Sequence, residues 1–394
     1  MKVSIIVGGK FHAFNLAKEL NLNGYLKQII TSYPKYSLKN FQIEKKKIKS
    51  ILIKELLLKL FKKFHFFQSM IDTDYFLSNY FSKRASELID LNNTDILVGW
   101  SSFSKEAFLK AKKTNCIKIL ERGSTHIKYQ EKILKMEYDE LKIKPNLPSQ
   151  NIIQKELIEY ELADYITIPS EFAKKTYLEY GVSESKLIKV PYGVDLKEFK
   201  YLNKKRPEGD KFRLISVGTI SIRKGSHILI EAFEQLSLKN SELTFVGPME
   251  KNFKKILKKY KKLKNVKFIS KQKQENLKYF YNNSDIFVLY SLEEGLSMVQ
   301  AQAMACGLPI ICSENTGGSE IVDHGINGYV IPIKNIEILK NKIQEFYNDK
   351  SKLKNFSLNA LKKTKELSWE NYGKKLINTY RSILEKKKKC QRYY

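Results

Sequence analysis

Short apolar segments alternate with longer amphipathic ones along the chain, and this alternation constrains the fold more than any other feature. The clearest apolar segments are Val3–Val7, Ile96–Gly99, Leu214–Val217, Leu243–Val246 and Ile286–Leu289. Strands that are apolar on both faces occur in parallel sheets, because helices cover both sides of such a sheet. The pattern therefore predicts an α/β protein built from doubly wound parallel sheets.

The chain has 394 residues, which leaves room for two domains at roughly 150 residues each. A lysine-rich stretch that contains Pro207 and Gly209 has the composition of a linker. The predicted organisation is an N-terminal domain over residues 1–198, a linker over 199–211, a C-terminal domain over 212–367 and a final helix with a basic tail over 368–394.

The formal net charge of the chain is +29, which raises the question of nucleic-acid binding. Only 7 of the 71 basic residues are arginines, however, and the lysines are spread through the chain. A nucleic-acid interface typically concentrates arginines in one stripe with interleaved aromatic residues. The composition therefore does not indicate a nucleic-acid partner, whereas it predicts attraction to anionic membrane surfaces.

The cysteines and the apolar segments both indicate a cytoplasmic protein. Cys116, Cys306, Cys312 and Cys390 have no metal-binding spacing and are typical of reduced thiols. No apolar run reaches about 18 residues, and no secretory leader is visible before the first strand. We expect a cytoplasmic location, with peripheral contact at the inner face of the membrane as an option.

Residues 41–67 combine many lysines with apolar side chains. Five of the apolar residues recur at near-helical spacing: Ile48, Leu52, Leu56, Leu60 and Phe64. One interpretation is an interfacial helix that docks on acidic lipids. The other is a partly buried helical insertion, because apolar residues occupy most sides of the projected helix. The sequence leaves both interpretations open.

The strongest functional signal is the segment 294–309, EGLSMVQAQAMACGLP, which follows an apolar strand. A helix is predicted to begin near Ser297, and Ser297 and Gln300 have the spacing of a capping box. The remaining free N–H groups and the helix dipole would form an anion site at the carboxyl end of the strand. Glu294 beside this site is suited to bind hydroxyl groups. A sugar attached to a diphosphate satisfies both demands.

Two further loops follow predicted strands. Arg223 and Lys224 precede a helix and could neutralise a departing diphosphate, the arginine as a bidentate fork and the lysine as a point charge. Gly8 and Gly9 end the first strand, where they either allow a ligand to approach the backbone or simply form a tight turn.

The segment 117–126, IKILERGSTH, places three candidate residues at a strand end. Catalytic residues of α/β sheets lie at such carboxyl ends. Glu121, Arg122 and His126 are therefore candidates for a side chain in a ligand cleft, and the residues alone do not choose between them.

Five segments together resemble family 4 retaining glycosyltransferases of the GT-B fold (glycosyl transferases group 1). In that family a Glu, seven residues and a second Glu are followed by a helix of small residues; here the two positions are Glu294 and Gln302. The other four segments occur in the family's order: Val190–Asp195, Ser216–Gly225, Thr316–Val322 and Gly325–Pro332.

The resemblance implies two Rossmann-like domains that face each other across a cleft, with the last helix crossing back onto the N-terminal domain. It implies retaining transfer of a hexose-type sugar from a nucleotide-diphosphate donor, a UDP- or GDP-sugar, without a metal or other cofactor. The implied acceptor is a hydroxyl of a saccharide or lipid-linked saccharide in bacterial surface polysaccharide, lipopolysaccharide or glycolipid synthesis.

The resemblance also assigns residues. The implied catalytic residues are Glu294, His126, Lys224 and Arg223. The implied donor-binding residues are Gly8, Gly9, Gly218, Arg223, Lys224, Glu294, Gly295, Leu296, Ser297, Met298 and Gln302. Two positions depart from the family: Gln302 is expected to keep a ribose contact without charge, and Arg223 is expected to replace an arginine usual at the position of Thr219.

Two other classes of function remain as alternatives. A sugar-nucleotide epimerase or a phosphorylase would use the same fold and cleft. A non-catalytic basic protein that binds membranes or nucleic acid would explain the charge, although not the ordered cleft motifs.

Overall fold

The computed structural model describes residues 1–63, 72–202, 211–260 and 263–392. Its strands form two parallel sheets, one of seven strands and one of six. Helices connect most of the successive strands, so the predicted α/β class with doubly wound sheets is confirmed. Most of the linker predicted over residues 199–211 lies outside the described residues.

The first sheet contains the N-terminal strands in the order β3-β2-β1-β4-β5-β6-β7. The strands are β1 Val3–Val7, β2 Leu26–Thr31, β3 Ile48–Ser50, β4 Ile96–Trp100, β5 Ile117–Glu121, β6 Tyr165–Ile168 and β7 Leu187–Lys189. The helices are α1 Ala13–Leu22, α2 Ile53–Lys63, α3 Thr73–Leu88, α4 Lys105–Ala111, α5 Ile127–Glu140, α6 Gln150–Leu162 and α7 Glu171–Glu179. The strand order reverses beside β1, and ligands of such sheets bind at this reversal.

The second sheet has the order β10-β9-β8-β11-β12-β13. The strands are β8 Phe212–Val217, β9 Ser241–Val246, β10 Val266–Ile269, β11 Ile286–Leu289, β12 Ile310–Ser313 and β13 Gly328–Ile331. The helices are α8 Ser226–Leu236, α9 Phe253–Leu257, α10 Gln274–Asn282, α11 Met298–Ala305, α12 Ile336–Asn348, α13 Lys350–Thr364 and α14 Trp369–Arg392. Here the order reverses between β8 and β11, which places the loops after these two strands side by side.

The last helix, α14, returns to the N-terminal sheet as predicted. Its side chains Tyr372, Leu376 and Tyr380 are buried in the same apolar cluster as Phe14 of α1. A Cβ at Gly373 would lie 2.5 Å from the Cβ of Glu19, so glycine permits the close approach of α14 to α1. Within the described ranges, none of the helices has both the length and the apolar character needed to cross a bilayer.

The helix predicted across residues 41–67 is present only in part. The segment around Ile48 instead forms β3, where Ile48 pairs with Ile29 of β2. Backbone pairing at the sheet edge prevails over the helical spacing of the apolar residues there. The helix α2 begins at Ile53, and Phe64 lies outside the described residues.

Candidate active site

The loops after β8 and β11 bring two of the predicted motifs into contact. The Nζ of Lys224 lies 2.6 Å from Oε1 of Glu294, and the Nη2 of Arg223 lies 3.5 Å from the same oxygen. The backbone N–H of Leu292 also donates to the carbonyl oxygen of Arg223 at 2.9 Å. Because β8 and β11 are parallel neighbours, their carboxyl ends meet at one edge of the sheet. Basic and acidic groups thus share one site.

Two glycines give the loop after β8 its shape. Gly225 has φ +60°, and a Cβ there would lie 1.9 Å from the carbonyl oxygen of Tyr290, so this position requires glycine. Gly218 has φ +137°, and a Cβ there would lie 3.7 Å from Cε of Lys224. The lysine side chain therefore folds back over Gly218, which lies at the end of β8.

The start of α11 differs from the predicted capping box. Ser297 is the residue that precedes the helix, but its hydroxyl does not cap it. Gln300 is fully buried, and its Nε2 donates at 3.3 Å to the carbonyl oxygen of Thr316 rather than turning back to Ser297. The capping prediction is wrong because Gln300 serves the neighbouring loop. The first turn of α11 therefore keeps N–H groups without a side-chain cap, which suits an anion.

A carboxylate that sequence reasoning did not select, Glu293, lies buried between the two domains. Its Oε1 accepts hydrogen bonds from the Oγ of Ser124 at 2.5 Å and from the N and Oγ1 of Thr125 at 3.1 and 2.6 Å. Its Oε2 accepts from Nε of Arg223 at 2.8 Å. Burial alone would raise the pKa of Glu293, but Arg223 and these hydrogen bonds lower it to about 2. The sequence signal was the Glu293-Glu294 doublet at a strand end.

The backbone at Gly295 also lies at the contact between domains. A Cβ at Gly295 would lie 2.4 Å from the carbonyl oxygen of Gly123 and 2.9 Å from Cγ of Pro169. The Oγ of Ser170 donates to the carbonyl oxygen of Gly295 at 2.5 Å. This predicted donor-binding residue is therefore also a point where the two domains touch backbone to backbone.

Three cavities open beside this contact. The largest, about 670 Å³, lies between the loop after β1 and the start of α11, and its lining includes Lys10, Phe11, Lys273, Met298, Gln302 and Trp369. Two cavities of about 290 and 440 Å³ adjoin each other on the N-terminal side of Arg223, and share Ser102, Phe103, Arg122, Gln130, Glu156 and Arg223. Of the other predicted donor-binding residues, Leu296 and Ser297 are buried.

Gln302 is held in a defined orientation. The hydroxyl of Tyr281, which is fully buried, donates at 3.3 Å to Oε1 of Gln302. Gln302 also lines the 670 Å³ cavity. A glutamate at this position would accept hydrogen bonds from a ligand, whereas the glutamine can donate one.

The three candidates after β5 have different environments. Arg122 lines the two smaller cavities, and its Nη2 donates to Gln130 at 3.0 Å. Glu121 is buried, and its Oε2 lies 3.1 Å from Nε2 of His12. His126 is buried before α5, and its ring stacks on Tyr180 at 4.6 Å.

The position of His126 does not favour contact with a substrate. Its Nδ1 accepts from the backbone N–H of Lys128 at 3.3 Å, which makes it the N-cap of α5. Burial, and then the charges of Arg122 and Lys128, lower the pKa of His126 to about 4. The catalytic role predicted for His126 stays a prediction, and the geometry favours Arg122 as the cleft residue of this loop.

Gly8 and Gly9 form the tight turn between β1 and α1. A Cβ at Gly8 would lie 2.2 Å from the ring of Phe103, and a Cβ at Gly9 would lie 2.6 Å from the ring of Phe11. Packing of these aromatic rings is sufficient to explain both glycines. The next residues, Lys10 and Phe11, are the ones that line the largest cavity.

Part of the chain matches the model of a known protein family. Residues 198–363 match the family model described as Glycosyl transferases group 1. A candidate glycosyltransferase of colanic acid biosynthesis, WcaL from Salmonella typhimurium, is 26% identical over 176 residues, which are 42% of this chain and 43% of WcaL. The chain spans less than two thirds of the length of several further curated relatives.

Solved structures share the whole fold. Sucrose-phosphate synthase from Thermosynechococcus elongatus has a TM-score of 0.71 at 18% identity, covering 98% of this chain and 99% of that chain. HepE from Anabaena, in complex with UDP, has a TM-score of 0.67 at 16% identity, covering 97% of this chain and 100% of that chain. The predicted GT-B fold and the resemblance to group 1 glycosyltransferases are confirmed, whereas assignment to family 4 stays a prediction.

Proposed function

We propose, from the match of residues 198–363 to the glycosyl transferases group 1 family, that this chain transfers a sugar from a nucleotide-diphosphate donor to a hydroxyl acceptor. The observation that carries the proposal is the contact of Lys224 with Glu294 at the carboxyl ends of β8 and β11, 2.6 Å between Nζ and Oε1. The ammonium group of Lys224 suits a diphosphate, and the carboxylate of Glu294 suits sugar hydroxyls. Donor binding would separate this ion pair and give each partner a ligand.

In the proposed reaction the bond between the anomeric carbon and the diphosphate oxygen breaks, and the same carbon bonds to the acceptor oxygen. The acceptor approaches the face from which the diphosphate leaves, so configuration is retained, and a phosphate oxygen takes the acceptor's proton. Lys224 and the first turn of α11 stabilise the leaving diphosphate. Glu294 accepts hydrogen bonds from the sugar and stabilises its developing positive charge.

The proposal also includes the domain boundaries predicted from the sequence: an N-terminal domain over residues 1–198, a linker over 199–211, a C-terminal domain over 212–367 and a final helix with a basic tail over 368–394.

In this proposal the donor and the acceptor occupy different cavities. The nucleoside of a hexose donor, UDP- or GDP-linked, occupies the 670 Å³ cavity, where Gln302 meets the ribose. The acceptor occupies the two smaller cavities, which Arg122 and Arg223 line. The names of WcaL, for colanic acid, and of HepE with UDP support a bacterial polysaccharide product and a uridine donor.

A donor screen tests the proposed activity. The purified chain is mixed with UDP-, GDP-, ADP- and CDP-sugars, and thermal shift is followed by mass spectrometry of products with saccharide and lipid-linked acceptors. We expect one donor class to raise the melting temperature and a nucleoside diphosphate to be released only when an acceptor is present. Formation of a sugar 1-phosphate from a glycan and inorganic phosphate would instead support a phosphorylase. Conversion of the donor without an acceptor into an epimeric sugar, free or nucleotide-linked, would support an epimerase.

The helix α2 suggests where the acceptor comes from. On one face, Lys54 and Leu58 line the 440 Å³ cavity. On the other face, Leu56 and Leu60 are 57% and 52% exposed, and Leu52 just before the helix is 44% exposed; lysines accompany them in this segment. An apolar stripe with neighbouring lysines suits an anionic bilayer surface. The proposed location is therefore cytoplasmic and peripheral, with the acceptor a lipid-linked saccharide.

Leu56→Asp is expected to weaken binding to phosphatidylglycerol vesicles by at least about tenfold, because a buried leucine contributes roughly 1.5–3 kcal/mol. Co-sedimentation with the vesicles at several salt concentrations measures this binding. Leu358→Asp is the matched control, since Leu358 is 55% exposed on α13 of the other domain. Equal binding by both variants, or equal binding of the wild type to neutral vesicles, would contradict the docking surface.

A further inference from the structure

Glu293 joins the two domains through a single buried carboxylate. One oxygen receives three hydrogen bonds from Ser124 and Thr125 of the N-terminal domain. The other receives the Nε–H of Arg223 in the C-terminal domain, at 2.8 Å. The side chain of Glu293 has no exposed surface. Separation of the domains would remove all three N-terminal donors at once.

The orientation of Arg223 depends on this carboxylate. While its Nε binds Glu293, its Nη2 lies 3.1 Å from the Oγ of Ser124 and 3.5 Å from Oε1 of Glu294. Arg223 also lines both cavities on the acceptor side. Its guanidinium thus lies between the proposed donor site and the proposed acceptor site. A planar guanidinium fixed at Nε keeps its remaining N–H groups in a fixed direction.

We propose that Glu293 is a positioning residue that orients Arg223 for sugar transfer only when the two domains are closed. This inference rests on the proposed function. In the closed arrangement the N-terminal donors hold Glu293, and Glu293 holds Arg223. In an open arrangement Glu293 loses these donors, and Arg223 loses its contact with Ser124. The chemistry is thereby coupled to domain closure.

The charge of Glu293 is essential to this coupling. Because its pKa is lowered to about 2, Glu293 stays ionised at every pH at which the enzyme would be assayed. Glu293→Gln keeps the shape and can still accept from Thr125, but it removes the charge that opposes Arg223. Thr125→Val removes only one of the N-terminal donors and leaves the charge pair intact.

A second carboxylate between the domains supplies a matched control. Oε1 of Glu137 on α5 lies 2.7 Å from Nε2 of His227 on α8, and Lys334 lies 3.0 Å from the other oxygen. Glu137→Gln therefore weakens closure with the same change of atoms, but without contact to Arg223. If a weaker interface alone lowered kcat, Glu293→Gln and Glu137→Gln would lower it equally.

The experiment compares kcat, donor KM and melting temperature for the wild type, Glu293→Gln, Thr125→Val, their double variant and Glu137→Gln. We expect kcat to fall by about 10²-fold in Glu293→Gln, since small misplacements of catalytic groups cost this much. Donor KM should change by less than about threefold, because the nucleoside site is untouched. Thr125→Val should lower kcat less, and adding it to Glu293→Gln should have little further effect, as expected for residues acting as a unit.

Three results would overturn the inference: an unchanged kcat in Glu293→Gln, an equal loss in Glu137→Gln, or independent effects of Glu293→Gln and Thr125→Val. If Glu293→Gln does not fold, Thr125→Val alone decides, and a kcat equal to that of the wild type would count against the proposal. Absence of transfer by the wild type with any nucleotide-sugar would refute the proposed function instead. The two failures are therefore distinguishable.

Discussion

Replacement of Lys224 or Glu294 with alanine is expected to lower sugar transfer by about 10³-fold, the range found when one preorganised electrostatic group is removed from an active site. Lys224 offers the leaving diphosphate a positive charge at the end of β8. Glu294 offers an acceptor to the sugar hydroxyls at the end of β11. The two side chains meet in one site, at 2.6 Å, so loss of either one also removes this contact from the other.

The measurement is single-turnover transfer at saturating donor, with circular dichroism and thermal unfolding to check the fold. Lys374→Ala and Glu370→Ala are matched controls, because these residues form an exposed ion pair on α14 at 2.6 Å. An exposed pair contributes little to stability, so transfer should stay at the wild-type rate. Wild-type turnover in both Lys224→Ala and Glu294→Ala would refute the assignment of these residues.

Gly295→Ala is expected to force the domains apart and to reduce transfer by at least about 10²-fold, since catalytic groups from the two domains would no longer meet. The added Cβ would lie 2.4 Å from the carbonyl oxygen of Gly123 and 2.9 Å from Pro169. A backbone carbonyl and a proline ring cannot move aside as the end of a flexible side chain can. The contact is therefore relieved most easily by movement of one domain relative to the other.

Small-angle X-ray scattering distinguishes this effect from loss of a ligand contact. Opening of the cleft would increase the radius of gyration, whereas loss of a donor contact alone would leave it unchanged. Gly325→Ala is the control, because a Cβ there would have no atom within 4 Å although its φ is +80°. A Gly295→Ala protein with wild-type dimensions and wild-type activity would show that the contact does not limit closure.

Much of the fold was predictable because it depends on local patterns. The segment Val3–Val7 is buried along its whole length, and an uninterrupted apolar run of this kind predicts a strand covered on both faces. The pairing of Lys224 with Glu294 was also foreseeable, since both follow strands whose motifs occur in a known order. At Ile48, in contrast, the helical spacing was misleading, because pairing with β2 at the sheet edge determines the structure there.

The details of the site were less predictable. The spacing of Ser297 and Gln300 fits a capping box, yet Gln300 is buried and binds the carbonyl oxygen of Thr316. Glu293 and Glu294 are adjacent in sequence, and nothing local distinguishes the carboxylate that bridges the domains from the one that faces Lys224. Local sequence likewise does not distinguish the roles of Arg122 and His126. Only the folded structure shows that Arg122 lines a cavity.

The sequence by itself determined the α/β class, the parallel sheets and the order of the cleft motifs, because these follow from residue patterns within single segments and from their order along the chain. Only the tertiary structure decided that Glu293 spans the domains, that a buried His126 caps α5 and that Gly295 touches the opposite domain. Such contacts join residues far apart in the chain, such as Thr125 and Glu293 at a separation of 168 positions. Their geometry depends on how one domain packs against the other, which no local pattern encodes.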